Sequence, residues 1–201
     1  VSGSQGTKVL AAQYDGGSAH DYVGVETVED LLELHEPWRD TDVGKLFLGT
    51  GAGGSMWYPT KVSEMEWAGD EVAVTEQGLR RGDALRGWVS QGIDPVKAQV
   101  DHVHSMGIEV YLGFRMGGPM AGPPPGGRSV PFWRDHPEWR CLDRQGDTIT
   151  RLSMAYPEVR KFYVDLFLEL ADYGVEGVQP IYTRRAPFVL FEAPVIEDFK
   201  K

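Results

Sequence analysis

The hydrophobic pattern of the chain predicts four short strands that are buried on both faces. Apolar residues form near-continuous runs of strand length, without strict alternation, at 8–14, 45–49, 109–114 and 175–182. Such runs are typical of parallel sheets, because helices cover both faces of those sheets.

Helical patterns lie between these strands. The segment 27–35 begins with Thr27 and has Asp30 three residues on, which is the spacing of a capping box. Two further helices are predicted at 95–106 and 157–173; each begins with proline and is followed by glycine. Strands that alternate with helices predict an α/β fold with parallel strands and right-handed crossovers.

Four βα units make half of an eight-stranded barrel, so the sequence predicts a partial (β/α)8 TIM barrel. We treat residues 1–201 as a single domain and expect it to be a truncated one. Half a barrel has an open edge strand and an exposed apolar face. We therefore expect either the other half of the barrel or self-association to cover that edge.

Long loops are predicted after the second and third strands, at 51–92 and 117–147. In a barrel these loops lie on the face that carries the active site, and loops of this length are usually functional. The second loop contains the run GGPMAGPPPGG, whose low complexity leaves a disordered insertion as the alternative.

Composition and charge narrow the classes of ligand. The net charge of −10 argues against nucleic acid and against an anionic membrane surface, because both repel a negative protein. A neutral or weakly charged ligand suits this charge better, and six tryptophans offer the flat apolar rings that sugar-binding clefts use, although core packing explains them equally well. The single Cys141 and the scattered histidines give no metal site, and no cofactor is predicted. The compartment stays open; secretion or a periplasmic location is compatible with the composition.

The second half of the chain carries motifs in a familiar order. HPEWRCLDRQG at 136–146 is followed by YPEVR at 156–160 and by GVEGV at 174–178. In these motifs the chain resembles the family-ten-like glycosyl-hydrolase proteins, a group of bacterial (β/α) barrels, most closely from about 131 to 199. The resemblance implies a barrel glycosidase that hydrolyses a poly- or oligosaccharide.

The chain departs from that family at one position. Many members place an acidic residue on the last of these strands, and here Ile181 occupies the matching position. Two interpretations stay open. Either the catalytic carboxylates come from other strands, or the protein binds sugars without cleaving them.

Glycoside hydrolysis needs two carboxyl groups, and two residues are candidates for the catalytic role. Asp15 directly follows the first strand, where a barrel presents functional residues; the alternative is a turn-forming aspartate before Gly16. Glu192 follows the fourth strand between Phe191 and Pro194, apolar neighbours that favour a protonated acid; the alternative is a solvated loop carboxylate.

Substrate binding is predicted for residues near the strand ends. Arg115, Arg184 and Arg185 follow the third and fourth strands, where a guanidinium would hold sugar hydroxyls, although pairing with nearby acids is the alternative. Trp57, Tyr58 and Tyr182 are candidates for stacking on a sugar ring, against plain packing. His136 would either carry a proton or orient its loop.

Overall fold

The computed structural model describes residues 9–15, 25–65, 76–117, 130–182 and 188–201, with the backbone alone at 76–82. The strands are β1 Leu10–Tyr14, β2 Val43–Ala52, β3 Ser55–Met56, β4 Glu64–Met65, β5 Glu109–Arg115, β6 Arg140–Leu142, β7 Thr148–Leu152 and β8 Gly177–Ile181. The α-helices are α1 Val28–Glu33, α2 Glu76–Ser90, α3 Pro95–Ser105, α4 Pro131–Asp135, α5 Pro157–Ala171 and α6 Ala193–Phe199.

Four parallel strands form the centre of the fold, in the order β1–β2–β5–β8. These are the four strands that the hydrophobic runs predict, and their spatial order follows their order in the chain. Helices connect them, so the predicted α/β class and the arrangement of a partial (β/α)8 barrel are confirmed. Short β3 and β4 extend the sheet beyond the end of β2.

The helices begin and end where their capping residues predict. Thr27 and Asp30 form the expected capping box at α1. The carboxylate of Asp94 accepts hydrogen bonds from the backbone N–H groups of Val96 and Lys97, at 2.9 and 3.1 Å, and so caps α3. After α3 and α5 the chain turns at Gly107 and Gly174, whose φ angles of 77° and 76° favour glycine.

One face of the sheet packs against the helices and carries the main core. The residues of β2 and β5 on this face are fully or almost fully buried, together with apolar residues of α3 and α5. The strand members are Leu46, Leu48, Val110, Leu112 and Phe114, and the helix members include Val100, Val103, Val159, Leu166 and Leu170. This burial of apolar side chains is the main favourable contribution to folding.

The opposite face of the sheet is more polar and only partly buried. Lys45, Glu109 and Tyr111 form a hydrogen-bonded cluster there, and the ring of Phe47 stacks on that of Tyr111 at 4.9 Å between centroids. Because side chains alternate along a strand, the same face carries Gly113 and Arg115 farther along β5. This is the face that points to the interior of a barrel.

The two segments predicted as long loops contain secondary structure of their own. The first includes β3, β4 and α2; Leu85 and Trp88 of α2 pack against Leu31 of α1. The second includes α4 and β6, and β6 pairs antiparallel with β7, which follows directly after it; the turn between the two strands has Gly146 at φ 90°. Residues 118–129, with the glycine- and proline-rich run, lie outside the described residues. Within the described residues, no helix has the length and hydropathy needed to cross a bilayer.

A buried histidine joins α3 to the segment that follows α1. His35 has no exposed surface, and its Nε2 lies 2.9 Å from Oε1 of Gln99. Because Nε2 of Gln99 already donates to the carbonyl of Pro95, we assign the Nε2–H tautomer to His35. Edge-on contact with the Tyr14 ring at 5.2 Å links the imidazole to β1. Burial lowers the pKa of His35, and the bond to Gln99 opposes that effect.

We predict that His35 makes the protein less stable in acid. Its folded pKa lies below the ordinary value of 6.5, so the unfolded chain takes up the proton first and stability falls as the pH drops below that value. Chemical denaturation of the native protein and of His35→Gln between pH 5 and 8 measures the effect. The substitution should flatten the pH dependence; parallel curves would show that His35 does not contribute.

A second prediction concerns the close approach of β5 and β8. A Cβ atom at position 113 would collide with the carbonyl oxygen of Gln179, so Gly113→Ala should lower the free energy of unfolding by about 1–3 kcal/mol. Gly87→Ala is the matched control, because a Cβ at that position in α2 meets nothing within 4 Å. The control should gain about 0.5–1 kcal/mol from helix propensity. Equal effects of the two substitutions in denaturant titrations would contradict the close contact.

Candidate functional site

The candidate site lies where the parallel strands end. In barrels, functional residues lie at the carboxyl ends of the strands and in the loops that follow them. Here Asp15 follows β1, Arg115 is the last residue of β5, and Tyr182 follows β8. We call this region the carboxyl edge. It contains three of the predicted site residues.

An ion pair between Asp15 and Arg115 spans the carboxyl edge. The two residues belong to strands on either side of β2, and Nη2 of Arg115 donates to Oδ2 of Asp15 across it. The side chain of Asp15 is 45% exposed and that of Arg115 is 25% exposed. Both charges therefore remain open to solvent at the edge while compensating each other.

Glycine makes room for this contact. Gly49 of β2 lies against the backbone of Asp15, and a Cβ atom there would be only 2.8 Å from the carbonyl oxygen of Asp15. On the other side, Gly49 pairs with Gly113, which in turn pairs with Gln179. These four residues form a row across the sheet, with the polar side chains of Asp15 and Gln179 at its two ends and the bare backbone of Gly49 and Gly113 between them.

Gln179 is a polar residue near the carboxyl edge that the sequence analysis missed. Its side chain is partly buried on the same face of the sheet as Arg115, and its Oε1 finds no hydrogen-bond donor within the described part of the chain. A buried acceptor without a donor costs about 1–3 kcal/mol of stability. The sequence could have indicated this position, because side chains two residues apart on a strand lie on the same face of the sheet, and Gln179 is two residues before Ile181.

Ile181 lies at the carboxyl edge beside the arginine of the ion pair. It is the last residue of β8 and is paired with Arg115 in the parallel register. This is the position at which the resemblance places an acidic residue in many family members. An uncharged aliphatic side chain therefore lies next to the guanidinium.

Tyr182 presents an aromatic ring to solvent. It is 51% exposed, and its ring meets that of Phe188 edge to face at 5.0 Å between centroids. A supported, half-exposed ring of this kind suits contact with the apolar face of a sugar. Arg184 and Arg185, also predicted to bind substrate, lie outside the described residues.

Glu192 is held inside the protein. It has no exposed surface; its Oε1 accepts from the backbone N–H of Leu142 at 3.0 Å, and its Oε2 accepts from that of Leu190 at 2.8 Å. The thiol of Cys141 is also hydrogen-bonded to this carboxylate. Burial is the main cause, and Glu192 a further one, that raises the pKa of Cys141 to about 12. The catalytic role of Glu192 stays a prediction, and its contacts favour a role in fastening β6 to the segment before α6.

Trp57 and Tyr58 lie in the protein interior, 8% and 1% exposed, and so present little surface for stacking on a sugar. The hydroxyl of Tyr58 donates to Oε2 of Glu169 on α5 at 3.0 Å, and Oε1 of Glu169 accepts from the backbone N–H of Lys61 at 2.6 Å. Burial raises the pKa of Tyr58. These contacts fasten the segment after β3 to α5.

His136 belongs to an aromatic cluster on the segment between α4 and β6. Its imidazole stacks on Trp139 at 3.7 Å between centroids, and its Nδ1 lies 2.9 Å from Oε1 of Glu138. This geometry agrees with an orienting role for His136 in its own segment. Among the described residues, no group of three or more His, Cys, Asp or Glu side chains is arranged to hold a metal ion.

Comparison with known proteins shows the fold and leaves the family open. No family model and no curated protein matches the sequence. Among solved structures, α-L-fucosidase isoenzyme 2 from Paenibacillus thiaminolyticus matches with a TM-score of 0.53 and 11% identity, over 96% of this chain and 26% of that chain. A maltogenic α-amylase, AmyB from Thermotoga neapolitana, matches with a TM-score of 0.48 and 12% identity, over 89% and 40%.

The chain thus spans about a quarter of the fucosidase, and at this identity the likeness shows a shared fold. A fold shared with part of a glycosidase agrees with the fold that the resemblance implies. Membership of the family-ten-like group stays a prediction.

A substitution at Glu192 tests its fastening role. Glu192→Gln keeps the shape but places an N–H₂ group opposite one of two backbone donors, so we predict a loss of about 1–3 kcal/mol in the free energy of unfolding. Glu138→Gln, on an exposed side chain, is the matched control and should change stability by less than about 0.5 kcal/mol. Unchanged stability of Glu192→Gln would show that the buried contacts do not hold this segment.

Proposed function

We propose that the chain forms the carbohydrate-binding edge of a glycoside hydrolase that acts on a poly- or oligosaccharide. The observation that carries the proposal is the Asp15–Arg115 pair at the carboxyl ends of parallel strands, where both side chains are partly exposed to solvent. Carboxylate and guanidinium groups bind sugar hydroxyls as acceptor and donor. The exposed ring of Tyr182 adds a stacking surface at the end of β8.

In this proposal Asp15 acts as the ionised carboxylate. A neighbouring guanidinium favours the charged form of a carboxyl group, and hydrolysis needs one ionised carboxylate as base or nucleophile beside a protonated acid. Arg115 positions Asp15 and donates hydrogen bonds to sugar oxygens. Glu192 was the predicted second carboxyl; its burial favours a structural task, so the proton donor would be another group of the complete active site.

A second candidate function is sugar binding without cleavage. Ile181 beside Arg115 favours it, because the edge then has one carboxylate fewer than the relatives that the sequence resembles. The ion pair, the bare backbone of the row and Tyr182 would serve binding alone equally well.

Substitution of Asp15 separates the two functions. Turnover is measured as release of reducing ends from a panel of oligosaccharides, and affinity is measured by calorimetry on the same panel. If Asp15 is catalytic, Asp15→Asn should lower turnover by about 10²–10⁴-fold with little change in affinity. Asp101→Asn, which removes the same charge from an exposed position on α3, should leave turnover unchanged.

If the native protein binds a sugar but shows no turnover, and Asp15→Asn loses that binding, the second function is favoured. Native levels of both turnover and binding in Asp15→Asn would refute the assignment of the carboxyl edge as the site.

A further inference from the structure

The charges at the carboxyl edge restrict the kind of sugar that can bind. Arg115 is the positive group of the described edge, and Asp15 already compensates it in a direct ion pair. An acidic sugar is usually held by a guanidinium through a bidentate contact with its carboxylate. Here Nη2 of Arg115 already donates to Asp15, so a bidentate contact that uses Nη2 would displace Asp15, and the carboxylate of Asp15 would in any case lie next to the incoming negative charge.

The other described groups at the carboxyl edge carry no charge. Gln179 offers an amide, Ile181 an aliphatic side chain and Tyr182 a phenol ring, while Gly49 and Gly113 leave bare backbone between the polar ends of the row. The amide oxygen of Gln179 is buried and has no donor among the described residues, so this residue adds polarity to the edge without adding a charge. The net charge of −10 over the whole chain adds a general repulsion of anions.

We infer that the carboxyl edge binds neutral sugar rings through their hydroxyls and rejects acidic sugars, and that the Asp15–Arg115 ion pair causes this selectivity. The inference rests on the proposed function and specifies its substrate class. A hydroxyl is both donor and acceptor, so neighbouring hydroxyls of one ring can donate to Asp15 and accept from Arg115 without breaking the pair. An acidic sugar cannot do so without facing a carboxylate.

Calorimetry with neutral and acidic probes tests the inference. The neutral probes are maltohexaose, cellohexaose and xylohexaose, and the acidic probe is trigalacturonate; all are titrated into the full chain at one fixed salt concentration. The native protein should bind at least one neutral probe, and bind it at least tenfold more tightly than trigalacturonate. Asp15→Asn should raise the affinity for trigalacturonate at least tenfold, because it releases Arg115 and removes the repelling carboxylate.

A control variant isolates the ion pair from overall charge. Asp101→Asn changes the net charge by the same amount at an exposed position on α3, and it should leave trigalacturonate binding unchanged. Thermal unfolding of each variant verifies that it is folded, and Arg115→Gln is a second edge variant that should weaken neutral binding without admitting trigalacturonate.

The outcomes distinguish this inference from the proposed function. Tighter binding of trigalacturonate than of every neutral probe by the native protein would overturn the inference while leaving a carbohydrate site in place. A folded Asp15→Asn variant that gains no affinity for trigalacturonate would also overturn it, since the ion pair would then not set the selectivity. Binding of none of the probes by the native protein or its edge variants would count against the proposed function itself.

Discussion

The close parallel pairing of four strands is the constraint on which the rest of the structure depends. β2 and β5 form its centre, and at Gly49 and Gly113 the neighbouring backbones come so close that a Cβ atom would collide with the carbonyl oxygen of Asp15 or of Gln179. Helices bury one face of this sheet in an apolar core, which leaves the polar face for chemistry. The ion pair between Asp15 and Arg115 is a direct consequence, since it joins two strands across a third.

Much of the fold could be predicted from the sequence because its signals are local. The apolar runs mark all four parallel strands, although the expected burial of both faces is wrong, because one face is polar and only partly buried. The helices that join the strands are marked by the caps Thr27 and Asp94 and by proline at the start of α5. The helix α2 could not be predicted in the same way. Its three glycines lower helix propensity, and it is stabilised by packing of Leu85 and Trp88 on Leu31, a contact between segments far apart in sequence.

The site could be predicted only in part, for the same reason. The positions of Asp15, Arg115 and Tyr182 follow from where strands end, which the apolar runs mark. The surroundings of Glu192 and Tyr58 depend on partners from other segments, a backbone N–H of β6 in one case and Glu169 of α5 in the other. Residue type alone therefore marked both as candidates, whereas Gln179 was missed because glutamine in an apolar run carries no catalytic signature.

The central claim is that Asp15 and Arg115 interact across β2 at the carboxyl edge, and a double-mutant cycle tests it most directly. The free energies of unfolding of the native protein, Asp15→Asn, Arg115→Gln and the double variant give the coupling energy between the two side chains. For a pair that is partly exposed, the account predicts a favourable coupling of about 0.5–1 kcal/mol that weakens as salt is added. Additive effects of the two substitutions at low salt would contradict the pairing, and with it the arrangement of the edge.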